Sequence, residues 1–394
     1  MKILHVVGAR PNYMKVAPLY HELRRRAPSL SERGKEIHQF LVHTGQHYDP
    51  EMVRFFFKDL SLPKPDWNLE VGSGSHAVQT AAVLTGIEPI LDRLRPDLLV
   101  VVGDVNSTLA TALAAAKACW RGPGGGWTRP AIAHIEAGLR SFDPTMPEEI
   151  NRCLTDNLSD YLFTHSGEAD ENLRREGILA DRIFRVGNIM IDSLLGLRER
   201  ALHSQIRFRL GLMGQGRDTA PYAVVTLHRP SNVDNPQVLG RILNALRLLG
   251  QKLRVIFPVH PRTRARIHEF CLEEFLCDAP VPEEKGPGLL ALEPLGYVDF
   301  LALLMESRLV LTDSGGIQEE TTALGVPCLT LRSNTERPIT VEMGTNMLVG
   351  NDPERILKES VRILEEEPRV AEPPPLWDGQ TALRIADVLI ERLC

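Results

Sequence analysis

Short, continuously apolar runs set the frame for this chain. KILHVVG, QFLVHTG, DLLVVVGD, AIAHIE, YLFTHS and IFRVGN come first, then YAVVTLH, RVIFPVH, LVLTDS and PCLTLR. They are rich in Val, Ile and Leu and lack the polar–apolar alternation of a half-exposed strand. Strands buried on both faces of a parallel sheet read this way. Helical patterns lie between many of them, from Val16 to Arg26, Val78 to Leu94, Asn106 to Trp120 and Pro236 to Gly250. Strand, helix, strand in repetition predicts a doubly wound α/β architecture.

The repetition comes in two blocks. One ends near Gly187; the other opens after the polar stretch from Gln205 to Ala220 and closes near the triple proline Pro373 to Pro375. A last helical pattern, Gln380 to Arg392, follows. The expected organisation is a Rossmann-like domain over 1–187, with a C-terminal helix over 378–394 packing back on it, and a second Rossmann-like domain over 188–377. A length of 394 residues suits two such domains.

Composition narrows the function classes. Hydrophobic residues are 43% and charged residues 24%, as in ordinary globular proteins, which excludes long disorder, collagen and coiled coil. The net charge of −6 leaves no broad basic field for nucleic acid or an anionic membrane. Cys119, Cys153, Cys271, Cys277, Cys328 and Cys394 form no C-x-x-C pair, which points to single packing residues in a reducing compartment. The start MKILHVVGARP is too short for a signal h-region, and no stretch approaches the roughly 20 apolar residues of a spanning helix. The expectation is a cytoplasmic protein.

Two glycine-rich stretches need separate readings. Gly122 to Gly126 lies between a helix and a strand, at the amino end of the sheet, and reads as a surface loop. Gly72-Ser73-Gly74-Ser75-His76-Ala77 matches G-x-G-x-x-A, but the preceding DWNLEV is not a buried first strand, so the context of a dinucleotide fingerprint fails. The first strand–helix turn has one glycine, Gly8, and no bound NAD is expected.

Several strands end in a polar residue: Arg10, Asp104, Glu136, His228, His260 and Asp313-Ser314. Open α/β sheets bind ligands outside the carboxyl ends of their strands, so two domains facing a central cleft would gather these residues. Each alone also reads as a turn residue or helix cap. Ser314-Gly315-Gly316 opens a helix, whose N–H groups and dipole suit a diphosphate; capping does not require a glycine pair. Arg10, Lys15 and Arg337 could place positive charge on such a group. Pro147 suits a helix N1 position, so Glu148 and Glu149 fall in a first turn, where dipole compensation competes with function. Glu148 and Arg152, spaced i, i+4, could simply pair.

As a set, GARPNYMKVAP, HTGQH, VVGDVNSTLA, HIEAGLRSFD, MPEEINR, VTLHRPSN, FPVHPR, LTDSGGIQEE and TERP resemble the non-hydrolysing UDP-N-acetylglucosamine 2-epimerases, over residues 1–340. The resemblance implies the two-Rossmann fold of B-type glycosyltransferases with its central cleft, a homodimer and a UDP-sugar substrate, with neither NAD nor a catalytic metal. It implies reversible interconversion of UDP-GlcNAc and UDP-ManNAc through elimination of UDP to 2-acetamidoglucal and its re-addition. Asp104, Glu136 and Glu148 match the family's catalytic carboxylates, and His228 its catalytic histidine. Arg10, His260, Ser314, Gly315, Gly316 and Arg337 match diphosphate or uridine contacts, Glu320 the carboxylate on the ribose hydroxyls, and Lys15 and Arg152 charges near the substrate.

The chain departs from the pattern in two places. Arg10-Pro11-Asn12 stands where many bacterial members read RPE. Gln46-His47 is followed by Tyr48, and no Arg occurs from Leu62 to Asp92, which argues against activation by substrate. Four readings follow. A non-hydrolysing epimerase takes up solvent deuterium at carbon 2 and keeps UDP. A hydrolysing epimerase releases ManNAc and UDP. A B-type glycosyltransferase needs an acceptor. A nucleotide-sugar sensor exchanges no label. Related epimerases of UDP-linked diacetamido-glucuronic acid carry similar HTGQH segments.

Overall fold

The computed structural model describes residues 1–46, 57–122, 125–213, 220–278, 288–366 and 372–393. His47 and Tyr48 therefore lie outside the described residues, as does the side chain of Arg10. The chain divides into two compact units, Met1–Ser193 with Pro375–Cys394, and Leu194–Pro374. Among the described residues no helix is long and apolar enough to cross a membrane.

Unit 1 is built on a parallel sheet. Its strands are β1 (Lys2–Val7), β2 (His38–His43), β3 (Trp67–Asn68), β4 (Leu98–Val102), β5 (Ala131–Ile135), β6 (Tyr161–Thr164) and β7 (Ile183–Arg185), in the order β3-β2-β1-β4-β5-β6-β7. Order reverses between β1 and β4, so the turns after these two strands flank the switch point where such sheets open a ligand crevice. The short edge strand β3 comes from the stretch DWNLEV, which the sequence reading rejected as a buried strand. Ser75, next in the G-x-G-x-x-A stretch, caps the helix α2 (His76–Leu94) through a bond from the Val78 N–H. Trp120–Arg121 and Trp127–Thr128 form a small antiparallel pair flanking the Gly122–Gly126 segment.

Helix α1 (Arg10–Ser31) is longer than the pattern from Val16 to Arg26. Pro11 sits in the first turn, where a missing N–H costs nothing. Asn12 reaches back to accept from the N–H groups of Gly8 (3.0 Å) and Ala9 (2.9 Å) and donates to the Val102 carbonyl (3.0 Å), tying the β1 turn to the tip of β4. Pro18 inside the helix leaves the Met14 carbonyl without its usual donor; the Ser193 hydroxyl donates there instead. The C-terminal helix Thr381–Leu393 packs on α1, with Asp387 2.5 Å from Arg26. Its first N–H groups, from Thr381 and Ala382, donate to Asp192.

Unit 2 repeats the plan with β8 (Tyr222–Thr226), β9 (Arg254–Pro258), β10 (Cys277–Asp278), β11 (Leu289–Leu292), β12 (Leu309–Thr312), β13 (Cys328–Thr330) and β14 (Asn346–Leu348). The order is β10-β11-β9-β8-β12-β13-β14, again parallel, with its switch point between β8 and β12. Val225, Phe257, Leu311 and Leu329 of the sheet pack with Leu239, Ile242 and Leu246 of a covering helix, all fully buried. In unit 1 Leu4, Val6, Leu99 and Val101 meet Ile87 and Leu91 in the same way.

Candidate active site

Asp104 and Glu136 end neighbouring tips of the unit 1 sheet. Helices α3 (Asn106–Lys117) and α4 (Pro147–Leu158) follow them in the chain. Asp104 is partly exposed, and its Oδ2 lies 2.5 Å from Nη1 of the buried Arg152. The helix partner of Arg152 is Glu149, three residues back, at 2.6 Å from Nη2 and 3.1 Å from Nε. Glu149 also accepts from the backbone N–H groups of Ser141 and Phe142. Burial alone would raise its carboxyl, but these N–H groups and Arg152 outweigh it and hold it below the usual range. Glu149 is thus the anchor of Arg152, and Glu148 is the half-buried carboxylate of that first turn.

Glu136 has φ 72°, a left-handed conformation costly for a side-chain-bearing residue. Its N–H and that of Ala137 both donate to the Phe163 carbonyl, which holds the turn. Its Oε2 pairs with Lys15 Nζ, and both side chains are buried. Gly103, with φ 66°, lies against this pair: a β-carbon there would sit 3.2 Å from Lys15 Nζ and 3.4 Å from Glu136 Oε2. The structure thus gathers Asp104 with Arg152, and Lys15 with Glu136, on either side of one glycine. Arg10 opens α1 at the same end of the sheet. The α3 N-terminus is occupied from within: Gln46 Oε1 accepts from the Ser107 N–H (3.0 Å) and hydroxyl (2.7 Å).

In unit 2, His228 ends β8 and Asp313 ends β12. Asp313 is fully buried and accepts from the N–H groups of His228 (3.0 Å) and Arg229 (2.9 Å) and from Asn232 Nδ2 (3.2 Å). Its Oδ1 lies 3.0 Å from His228 Nδ1. Burial would raise the Asp313 carboxyl; His228 and the backbone donors reverse that and hold it low. An ionised Asp313 beside Nδ1 sets the tautomer and orientation of His228, the arrangement of a positioned acid–base histidine. The His260 ring lies 5.5 Å from that of His228, centroid to centroid, and caps a helix by accepting from the Arg262 N–H.

Helix α5 (Gly315–Leu324) starts directly after β12, and Ser314 makes no side-chain cap bond to it. Arg337 is laid on its first residue: a β-carbon at Gly315 would fall 2.4 Å from Arg337 Nη1 and 2.8 Å from Glu336 Oε1. Arg337 is in turn held by Glu336 (2.5 Å) and Glu319 (3.0 Å), and Glu336 also takes Arg332 (2.8 Å). Glu320, in the second turn, is buried and accepts from the Tyr297 hydroxyl (3.0 Å). Burial pushes its carboxyl up to about 8, opposed by the Tyr297 bond and reinforced by the Glu319 charge. Among the described residues no group of three or more His, Cys, Asp or Glu side chains could hold a metal ion.

Comparison with known proteins decides what these tips belong to. The family model described as UDP-N-acetylglucosamine 2-epimerase matches residues 30–390. The chain belongs to the UDP-N-acetylglucosamine 2-epimerase family. It is 40% identical to a UDP-N-acetylglucosamine 2-epimerase of Methanocaldococcus jannaschii over 99% of both chains. It is 38% identical to the UDP-2,3-diacetamido-2,3-dideoxy-D-glucuronate 2-epimerase of Pseudomonas aeruginosa, again over 99% of both. The crystal structure of the M. jannaschii UDP-GlcNAc 2-epimerase in complex with UDP-GlcNAc and UDP superposes with a TM-score of 0.84 at 39% identity, covering 99% of this chain and 100% of that one. A lipopolysaccharide galactosyltransferase at 13% identity and TM-score 0.51 shares the fold alone. The chain is an epimerase built from two Rossmann-like domains.

The epimerase motifs mark the strand tips but not what holds them. Asn12, Tyr297 and Glu336 escaped the sequence reading, and Glu149 and Asp313 were weighed there without the anchoring roles the structure gives them. Asp313 was visible as a strand-end acid, yet nothing local separates an anchor for His228 from a helix cap.

Proposed function

We propose that this chain interconverts UDP-GlcNAc and UDP-ManNAc by reversible elimination and re-addition of UDP through 2-acetamidoglucal. The observation that carries the reading is the pair of strand-tip carboxylates, Asp104 and Glu136, each buttressed by a buried cation. The hydrogen on carbon 2 has no neighbouring carbonyl to acidify it, so the carbon–oxygen bond to UDP breaks first and positive charge develops on the sugar. Carboxylates stabilise that charge and exchange the carbon 2 proton from either face, with Asp104, Glu136, Glu148 and His228 as the candidate groups. The leaving diphosphate takes the bonding electrons. Its charge suits the open α5 N-terminus at Ser314, Gly315 and Gly316, with Arg337, His260 and Arg10 as counter-charges. Glu320 takes the ribose hydroxyls. Lys15 and Arg152 sit behind the carboxylates, which favours holding them over touching substrate.

A diacetamido-glucuronate substrate is the second reading, favoured by the 38% identity to the P. aeruginosa enzyme. A homodimer in the cytoplasm completes the proposal. The open apolar face of α2 and α4, with Ala77, Ala81, Leu84 and Ile150, supports the dimer.

Incubation with UDP-GlcNAc in heavy water tests the reading by NMR. Deuterium at carbon 2 with UDP still attached is expected. Free ManNAc with UDP would instead indicate the hydrolysing reaction, and no label at all would remove epimerisation. Asp104→Asn and Glu136→Gln should each cut turnover by several powers of ten while UDP affinity persists; wild-type rates in both would exclude these carboxylates.

A further inference from the structure

His134 lies on β5 with its side chain fully buried, two residues before Glu136. Both ring nitrogens face acceptors. Nε2 is 2.8 Å from the Gly103 carbonyl oxygen, and Nδ1 is 2.6 Å from Asp156 Oδ1. A carbonyl has no proton to give, so Nε2 carries the hydrogen. Asp156 Oδ2 accepts from the Gly138 N–H (3.1 Å) and lies 2.8 Å from Arg140 Nη2. Arg140 closes on Glu176 through two bonds, at 2.7 and 2.6 Å. One connected chain therefore runs from Glu176 through Arg140, Asp156 and His134 to the peptide that precedes Asp104. Its members beyond His134 are multiply bonded, which fixes the ring.

We infer that His134 is a positioning residue for the epimerisation: its Nε2–H, donated to the Gly103 carbonyl, fixes the peptide plane that presents Asp104. The inference rests on the reading of Asp104 as a catalytic carboxylate. Glycine has the weakest intrinsic hold on its own backbone angles, so at Gly103 neighbours must supply it. The Gly103 N–H is bonded to the Ile135 carbonyl (3.1 Å). The Asp104 carbonyl accepts from Asn151 Nδ2 (2.9 Å), and its carboxylate takes Arg152. The His134 bond is the tether on the remaining side, at the Gly103 oxygen. An apolar residue would fill the same volume in the core with no desolvation cost, so core packing alone does not call for a histidine with an aspartate behind it.

The test compares His134→Phe, which has no ring donor, with Asp156→Asn and Asp104→Asn in the full chain, reading kcat, KM, UDP affinity and thermal midpoint. His134→Phe should lose on the order of 10- to 100-fold in kcat, since about 1 Å of misplacement of a reacting group carries that weight. KM and UDP affinity should stay within about threefold, because no nucleotide group is touched. Asp156→Asn keeps a neutral Nε2 donor and should show a smaller kcat loss of the same kind. A thermal midpoint lowered with kcat unchanged is a purely structural role and overturns the inference. An active His134→Phe beside an inactive Asp104→Asn overturns this inference alone, whereas an active Asp104→Asn removes the reading beneath it. Histidine 15N spectra of the wild-type protein need no variant to fold: a protonated Nε2 on His134 is expected, and an unprotonated one rules out the bond to Gly103.

Discussion

Glu320→Gln should alter how unit 2 responds to pH. The Glu320 carboxyl is fully buried, and burial lifts it from the ordinary 4.5 to about 8. The unfolded chain therefore ionises this group through about 4.5, and the folded protein only through about 8. Between those values the unfolded state binds fewer protons than the folded one, so stability falls as pH rises across this window. Below about 4.5 the contribution is fully present; above about 8 it is gone. The difference of 3.5 units (8 − 4.5) corresponds to about 5 kcal/mol at ~1.4 kcal/mol per unit. Glutamine is neutral at every pH and keeps an acceptor for the Tyr297 hydroxyl, so the variant should lack this slope. At pH 5 the two proteins should be nearly equally stable; at pH 9 the variant should be the more stable by several kcal/mol. Tryptophan fluorescence is the wrong probe, since Trp67, Trp120, Trp127 and Trp377 all lie in unit 1. Hydrogen-exchange protection factors for the amides of α5 and β12, measured from pH 5 to 9, report the right unit. UDP affinity tests the same group: a ribose diol donates best to an ionised carboxylate, so wild-type affinity should climb as pH approaches 8, while the variant stays flat and weak. Parallel protection profiles for both proteins would refute the assignment of a neutral Glu320 at pH 7.

Two further perturbations act on the same unit. Gly315→Ala places a β-carbon 2.4 Å from Arg337 Nη1; the guanidinium must move, at a typical overpacking cost of about 1–3 kcal/mol. UDP affinity by calorimetry should fall roughly tenfold or more with the circular dichroism unchanged, and wild-type affinity would contradict the assignment of this helix start to an anion. Asp313→Asn removes the charge that accepts from His228, Arg229 and Asn232. It should lower kcat about a hundredfold or more by releasing the His228 proton position, and a pH–rate profile identical to wild type would show that Asp313 does not set it.

The parts of the fold that could be read from the sequence are those buried on both faces. β1, β4, β8 and β12 announce themselves because a central parallel strand has no polar side. β3, β10 and β14 are two- or three-residue edge strands, too short to carry a pattern, and Leu289–Leu292 was hidden by its proximity to Gly286-Pro287-Gly288. α1 extends beyond the Val16–Arg26 pattern at both ends, and the Met14 carbonyl that Pro18 leaves without a donor is satisfied by Ser193. The candidate site follows the same division. Strand-tip residues sit inside contiguous motifs and can be picked out one by one. The groups that orient them do not: Asp313 meets His228 across 85 residues, and Asn12 meets Val102 across 90. No local pattern records such a partnership.

The starts of α3 and α5, both at a switch point, differ in one physical respect. In unit 1, Asn12 takes the N–H groups of Gly8 and Ala9 just ahead of α1, and Gln46 takes the Ser107 N–H at the start of α3. At α3, an N–H that would otherwise attract an anion is satisfied by a neutral amide of the protein itself. In unit 2, the start of α5 has no capping side chain, and an arginine is pressed against its first glycine. The difference follows from what each unit must tolerate. A diphosphate brought up to Asp104 and Glu136 would face two carboxylates whose cations, Arg152 and Lys15, are already engaged. Repulsion would raise the cost of binding there. On the proposed function, blocking the α3 start removes a competing anion site there and leaves the carboxylates to a sugar that becomes positive as its leaving group departs. On the same proposal, the uncapped α5 start would offer the leaving group fixed N–H dipoles and a guanidinium that need no rearrangement when the bond breaks. Replacing Gln46 by alanine would unblock α3, and on this reasoning it should create a weak second anion site in unit 1, detectable as phosphate inhibition absent from the wild type.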